Sequence, residues 1–239
     1  MDVMAKPKDY VEESGVGFWF LGTLTWEKRV VEVALADLAR LLPEPGRRCH
    51  TVLDAGCGQG KALKPLQQHF QAERIIGVDV DGRALEAACR EAMRHGLVAE
   101  LIEADCASIP LPDASVDLVF CHQTLHHLVR QEETLAEFRR LLKPGGVLLL
   151  AESTKAYIHS WVIRLLFRHP MHVQRTAPEY LELVRKAGFE FGSADVSYPY
   201  LWWSRARDFG LLERWHIKSP PPVGQREETL VNLVATKPR

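Results

Sequence analysis

The residues with the most chemistry to offer stand where apolar runs end. The run Val52-Leu53-Asp54-Ala55 passes directly into Gly56-Cys57-Gly58-Gln59-Gly60. A strand that feeds glycines and then a helix presents backbone N–H groups at a helix N-terminus, and glycine lets a ligand come close to the main chain. A nucleotide-like cofactor is the expectation. A dinucleotide pyrophosphate asks for the spacing G-x-G-x-x-G, whose third glycine keeps helix and strand close. Here the spacing is G-x-G-x-G, and position 61 is lysine. Asp54, two residues ahead of Gly56, would repel a pyrophosphate and suits a cofactor with a cationic amino acid end.

Two more acids repeat the arrangement. Asp79 closes the run Arg74-Ile75-Ile76-Gly77-Val78, 25 residues after Asp54. An acid at the tip of a second strand can accept from both ribose hydroxyls. Asp81 is expected to cap the helix that follows. Asp105 lies past a third run, where it can accept from an adenine amino group while the Cys106 backbone N–H meets a ring nitrogen. Nothing near Cys106 in sequence lowers its pKa, so a reactive thiol is not expected.

His122, Gln123, His126 and His127 follow a fourth run. Imidazole has the pKa to take a proton from an oxygen or nitrogen nucleophile. The competing reading of Leu125-His126-His127-Leu128 is helix packing. His159, His169 and His172 form no H-E-x-x-H or comparable spacing, so no metal is expected.

The elements that must position these residues alternate. Strands are expected over 51–54, 74–79, 99–104, 116–121, 147–151, 189–197 and 229–236, with helices over 26–42, 83–95, 132–142 and 178–187. Nearly pure apolar strands separated by helices indicate a parallel sheet covered on both faces. The segment 156–169 is apolar, aromatic and basic. It reads as a packing helix, a lid, or an element lying on a membrane surface with Arg164 and Arg168 near headgroups.

Bulk properties exclude several classes. Of the 239 residues, 46% are hydrophobic and 26% charged, as in ordinary globular proteins. A net charge of −1, from 30 basic and 31 acidic residues, gives no electrostatic case for nucleic acid. Five scattered cysteines without a CxxC pair argue against a disulfide framework or a zinc site. No uninterrupted apolar window of about 18 residues marks a membrane span, and no apolar leader segment stands at the start. A cytoplasmic location is expected, with peripheral membrane contact compatible with the 156–169 segment.

Taken together, VLDAGCGQG, GVDVD, EADCASIPLPDASVDLVFCHQTLHHL and LLKPGGVLLLAE resemble class I S-adenosylmethionine-dependent methyltransferases. The similarity covers about residues 48–152 and points to the small-molecule branch that includes ubiquinone/menaquinone-biosynthesis and phosphobase methyltransferases. It implies an α/β, Rossmann-like three-layer sandwich with a seven-stranded, mostly parallel sheet and an antiparallel last strand. It implies that Asp54, Gly56, Cys57, Gly58 and Gly60 surround the methionine part of S-adenosyl-L-methionine. Asp79 would then bind ribose, Val80 would pack on adenine, and Asp105 with Cys106 would read the adenine edge. His122 and Gln123 would lie near the sulfonium. Ala84 departs from the larger apolar residue common in such sequences, so the adenine wall must be completed elsewhere.

In phosphobase methyltransferases a histidine falls ten residues after the aspartate that opens the fourth strand. Counting from Asp117, that is His127, and the tyrosine paired with it there corresponds loosely to Tyr10. The chain is thus expected to be one domain, 1–239, with an N-terminal helical cap at 1–45. Insertions at 153–177 and 199–226 would shape the pocket of a small, apolar or aromatic acceptor, and S-adenosyl-L-homocysteine would be the product. Two rivals remain: a non-catalytic cofactor- or partner-binding protein, and a nicotinamide-dependent oxidoreductase.

Overall fold

The computed structural model describes residues 13–44, 46–204, 211, 215–219 and 221–239. A seven-stranded sheet runs in the order β3-β2-β1-β4-β5-β7-β6. Its strands are β1 (Thr51–Ala55), β2 (Arg74–Asp79), β3 (Ala99–Glu103), β4 (Val116–His122), β5 (Leu142–Ser153), β6 (Val196–Ser197) and β7 (Leu230–Thr236). The first five pair in parallel, and β7 runs antiparallel to both β5 and β6. This is the Rossmann-like sandwich that the sequence resemblance implies.

The apolar runs are continuous because both faces are covered. Val52, Ile75, Leu118, Phe120 and Leu149 point to one core, Leu53, Ile76, Val119, Leu148 and Leu150 to the other. The first core is roofed by α3 (Glu32–Leu41), α4 (Leu63–Phe70) and α5 (Gly82–Arg94). The second is roofed by α6 (Gln131–Leu141) and α9 (Ala177–Lys186), which bury Phe138 and Tyr180 completely. Burying a side chain of this size contributes about 1.5–3 kcal/mol relative to exposure. Local signals agree with the packing: the Asp81 carboxylate accepts from Arg83 N at 2.9 Å to start α5, and Thr176 with Glu179 forms a capping box on α9.

Ahead of the sheet, α1 (Gly15–Leu21) and α2 (Leu24–Trp26) lead through a π-helical stretch, Glu27–Val31, into α3. The 26–42 pattern is therefore not a uniform α-helix, and the wide turn sits where Arg29, Val30 and Val31 border a cavity. After β5 come α7 (Lys155–Ile158) and α8 (Trp161–Leu166). Two short helices thus replace the single element expected over 156–169.

The strand expected over 189–197 is also corrected. Only Val196–Ser197 pairs along β7, after an isolated bridge from Glu190 to Thr236 and a 3₁₀ turn at Ser193–Asp195. Asp195 accepts from Gly192 N at 2.7 Å, and that local turn competes with extension of the strand.

Candidate functional site

Chain order reverses between β1 and β4, which are neighbours in the sheet. In open α/β sheets ligands bind beyond the carboxyl ends of strands at such a switch point. A cavity of about 570 Å³ lies there. It receives every expected cofactor-site residue except Gly60.

The glycine loop after β1 is shaped by close approach. Gly56 has φ +74°, and a Cβ there would fall onto the Thr124 side chain. Gly60 has φ +76°, and its Cβ would come within 2.9 Å of Ala88 on α5, so this glycine sets helix packing. A Cβ on Gly58 would meet nothing within 4 Å, because that position faces open space.

Four of the loop's amides are already engaged within the chain, contrary to the expectation from a glycine-rich helix start. Gly56 N and Cys57 N both donate to Val78 O, at 2.8 and 2.9 Å. Gly58 N donates to Asp79 Oδ2 at 2.8 Å, and Gly60 N to Cys57 O at 2.9 Å. With these four amides engaged, the carboxylates of Asp54 and Asp79 on the cavity lining make this end of it a better match for a cation than for phosphate. Where a dinucleotide fold has its third glycine stands Lys61, whose Nζ is 2.7 Å from Glu91 and 3.4 Å from Glu27. This ion pair ties the loop to α5 and to the π-helical stretch.

Asp54 is almost fully buried, and its Oδ2 has no hydrogen-bond partner among the described residues. Burial, with the nearby Asp79 adding repulsion, pushes its carboxyl up to about 8. A bound cation is what such a group lacks. Asp79 is raised by burial as well, although its oxygens accept from Asp81 N at 2.9 Å and from Gly58 N. Its remaining lone pairs face the cavity beside Val80 and Ala84.

Asp105 takes Ala107 N at 2.8 Å on one oxygen and Arg130 on the other, so an adenine amino group would share an acceptor already in use. Phe18 of α1 reaches the same wall beside Ala84, and its carbonyl accepts from the Gln59 side chain. The Arg83 guanidinium lies over the Phe18 ring at 5.5 Å, so α1 contributes a ring to the cavity near the start of α5. Burial pushes the Cys57 and Cys106 thiols up, away from thiolate character.

The other half of the cavity is aromatic. His122 stacks on Phe120 at 5.6 Å and leans on Trp26 at 5.7 Å, and its Nε2 has no partner among the described residues. Burial pushes it down to about 3. Gln123 adopts φ +53° and turns the chain into the 3₁₀ stretch Leu125–His127. His127 lies against His126 at 4.3 Å and against His169 at 4.6 Å, and burial holds it well below the usual imidazole range. Tyr157, Phe167 and Trp203 close the wall. Tyr10, expected beside His127, lies outside the described residues.

Glu152 was not expected in the site. It is fully buried at the end of β5, where Oε1 accepts from Thr124 N at 2.9 Å and Leu125 N at 2.7 Å. Its Oε2 is 2.6 Å from His126 Nδ1. One signal for it existed: an acid closing an apolar strand, as Asp54 and Asp79 do. Nothing comparable marked His169, which arrives from the segment after α8.

A family described as a methyltransferase domain matches residues 53–150. A probable S-adenosylmethionine-dependent methyltransferase from Mycolicibacterium smegmatis is 38% identical over 144 residues, 58% of this chain and 51% of that one. A demethylmenaquinone methyltransferase from Thermus thermophilus is 29% identical over 133 residues, 56% of each chain. The chain spans about half the length of these curated relatives. Among solved structures, a SAM-dependent methyltransferase from Aquifex aeolicus superposes with a TM-score of 0.64 at 19% identity, covering 92% of this chain and 96% of that one. At that identity the likeness is one of fold.

Proposed function

We propose that this chain, whose residues 53–150 match a methyltransferase domain, transfers a methyl group from S-adenosylmethionine to a small apolar or aromatic acceptor, releasing S-adenosyl-L-homocysteine. The observation that carries the reading is one continuous cavity with two kinds of lining. Asp54, Asp79 and the open face of Gly58 line one half; Tyr157, Phe167, Trp203 and the histidines line the other.

When bound, the cofactor supplies a methyl carbon activated by its sulfonium. The chain's own work is to bind, orient and exclude water. Asp54 would face the ammonium of the amino acid end, and its buried, unpartnered oxygen gives it reason to. Asp79 would accept from ribose, and Phe18, Val80 and Ala84 would pack on adenine. On the acceptor side, His127 and the His126–Glu152 pair stand where an imidazole can take the acceptor's proton. Lys61, held by Glu91 and Glu27, occupies the position that a nicotinamide site needs as glycine.

The test is a panel of lipophilic phenols, quinols and amines incubated with the purified chain and S-adenosylmethionine. Release of S-adenosylhomocysteine above the acceptor-free control is the expected result. Tight binding of S-adenosylhomocysteine with no release across the panel would favour a non-catalytic cofactor-binding protein instead.

A further inference from the structure

One imidazole suffices for a base, and this cavity wall holds three in contact. His126 and His127 come from the turn after β4, while His169 comes from the segment after α8. Their ring centroids are 4.3, 4.6 and 5.1 Å apart, and one nitrogen from each lies within 4.8 Å of the others. We propose that His126, His127 and His169 form a three-nitrogen site for a zinc-class divalent ion, with one coordination position open to the acceptor half of the cavity.

The geometry is close to what such an ion requires. Zn–N bonds of about 2.0–2.1 Å in a tetrahedron place ligand nitrogens roughly 3.4 Å apart, so ring rotations of about an ångström close the site. Three rings in contact cannot all carry a proton's charge, and neutral imidazole is the ligating form.

The surroundings of the cluster are built as for a ligand set. Glu152 Oε2 lies 2.6 Å from His126 Nδ1, and an Nδ1–H donating to that carboxylate would leave Nε2 with its lone pair for a metal ion. A carboxylate behind a ligating histidine is the usual support of a metal site. Gln174, itself buried, donates from the same Nε2 to His126 O at 2.8 Å and to Pro170 O at 3.0 Å. One side-chain amide therefore locks together the two segments that carry the histidines.

The open position defines the ligand class. Three protein nitrogens plus one exchangeable position is the pattern of sites that bind and acidify a substrate atom. Resting on the proposed methyl transfer, the acceptor class narrows to an ionisable oxygen or sulfur donor such as a phenol, an enol or a thiol. Its O–H or S–H proton leaves to water as the heteroatom coordinates, and the heteroatom's lone pair is then the nucleophile. In that state the rings act as ligands and no longer as bases.

The experiment uses the full chain, freed of metal by a chelator and titrated with Co²⁺ in the absence of cofactor and acceptor. Visible d–d absorption saturating at one ion per chain, displaced by Zn²⁺, is expected. His169→Gln should weaken Co²⁺ binding at least about 100-fold, and Gln174→Ala about tenfold, as loss of a supporting group does. His172→Gln, on an exposed histidine, should leave the titration unchanged. The proposal is overturned if no stoichiometric band forms, or if His169→Gln binds Co²⁺ as the parent does. S-adenosylhomocysteine affinity, measured in parallel, should be equal in parent and His169→Gln, which keeps a failed metal site separate from a failed cofactor reading.

Discussion

The two halves of the cavity are assembled by different means. The donor half of the proposed reading draws on the ends of β1, β2 and β3, with Asp54, Asp79 and Asp105 each placed by its own strand and the last two held by nearby backbone N–H groups. The acceptor half draws on residues from Trp26 to Trp203, brought together only by the tertiary fold. The first is acid and main chain; the second is aromatic ring and imidazole. On the proposed function, donor binding is then a property of the sheet, whereas acceptor choice is a property of what is laid over it. The two should therefore fail separately.

The largest effect that would break this separation lies at their seam. Gly56→Ala places a methyl group on the Thr124 side chain at φ +74°. S-adenosylhomocysteine binding, followed by calorimetry, should weaken at least about 100-fold, about 2.7 kcal/mol. Adding Thr124→Ala should recover part of the loss, because it clears the clash and leaves the backbone strain. Full affinity in Gly56→Ala would mean that the loop does not form the donor floor.

Next in size is Glu152→Gln. The carboxylate satisfies two amides and one imidazole without exposure, and an amide cannot accept at both ends. Urea unfolding should show a loss of about 2–3 kcal/mol at unchanged slope. An unaffected midpoint would remove Glu152 as the strut between the halves.

The unequal construction explains what the sequence made legible. Asp54, Asp79 and Asp105 could be read because strand ends are visible as the ends of apolar runs, and strand order fixes where they meet. The strands over 74–79 and 99–104 and the helix over 83–95 were likewise clear, since local pattern and burial agree. Glu152 obeys the same rule, since it too stands near the end of an apolar strand. His169 was not readable, for nothing local places it against His127, 42 residues earlier. The loop amides misled in the other direction: their partners are Val78 and Asp79, which only β2 pairing brings within reach. The strand over 189–197 failed where Asp195 bonded back to its own turn.

The two halves carry opposite titration penalties. Asp54, raised to about 8, keeps in the folded chain a proton that the unfolded chain gives up above about 4. Stability attributable to it falls as pH rises between those values. His122 and His169, lowered to about 3, refuse a proton that the unfolded chain takes up below about 6.5. Stability attributable to them rises with pH over that range. Above pH 6.5 the histidines are silent and Asp54 is not. From pH 6.5 to 8 the unliganded chain should lose stability, and Asp54→Asn should flatten the slope by up to about 1.4 kcal/mol per pH unit. Saturating S-adenosylhomocysteine should flatten it as well, by giving the carboxylate its cation. Equal slopes in parent and variant would place Asp54 in contact with water.

The smallest effect is the most selective test of separateness. Trp203 borders the acceptor half and meets the Tyr157 ring edge-on at 5.7 Å, far along the chain from every donor acid. An edge-to-face pair of this kind contributes about 0.5–1.5 kcal/mol beyond the area it buries. Trp203→Ala should therefore raise KM for a panel acceptor about fivefold, about 1 kcal/mol. Affinity for S-adenosylhomocysteine should not change, since no donor contact runs through Trp203. An equal loss on both sides would show that removing one wall disturbs the whole cavity, and the two halves would then be a single cooperative structure. A KM effect alone would assign Trp203 to acceptor choice and leave donor binding to the strand ends.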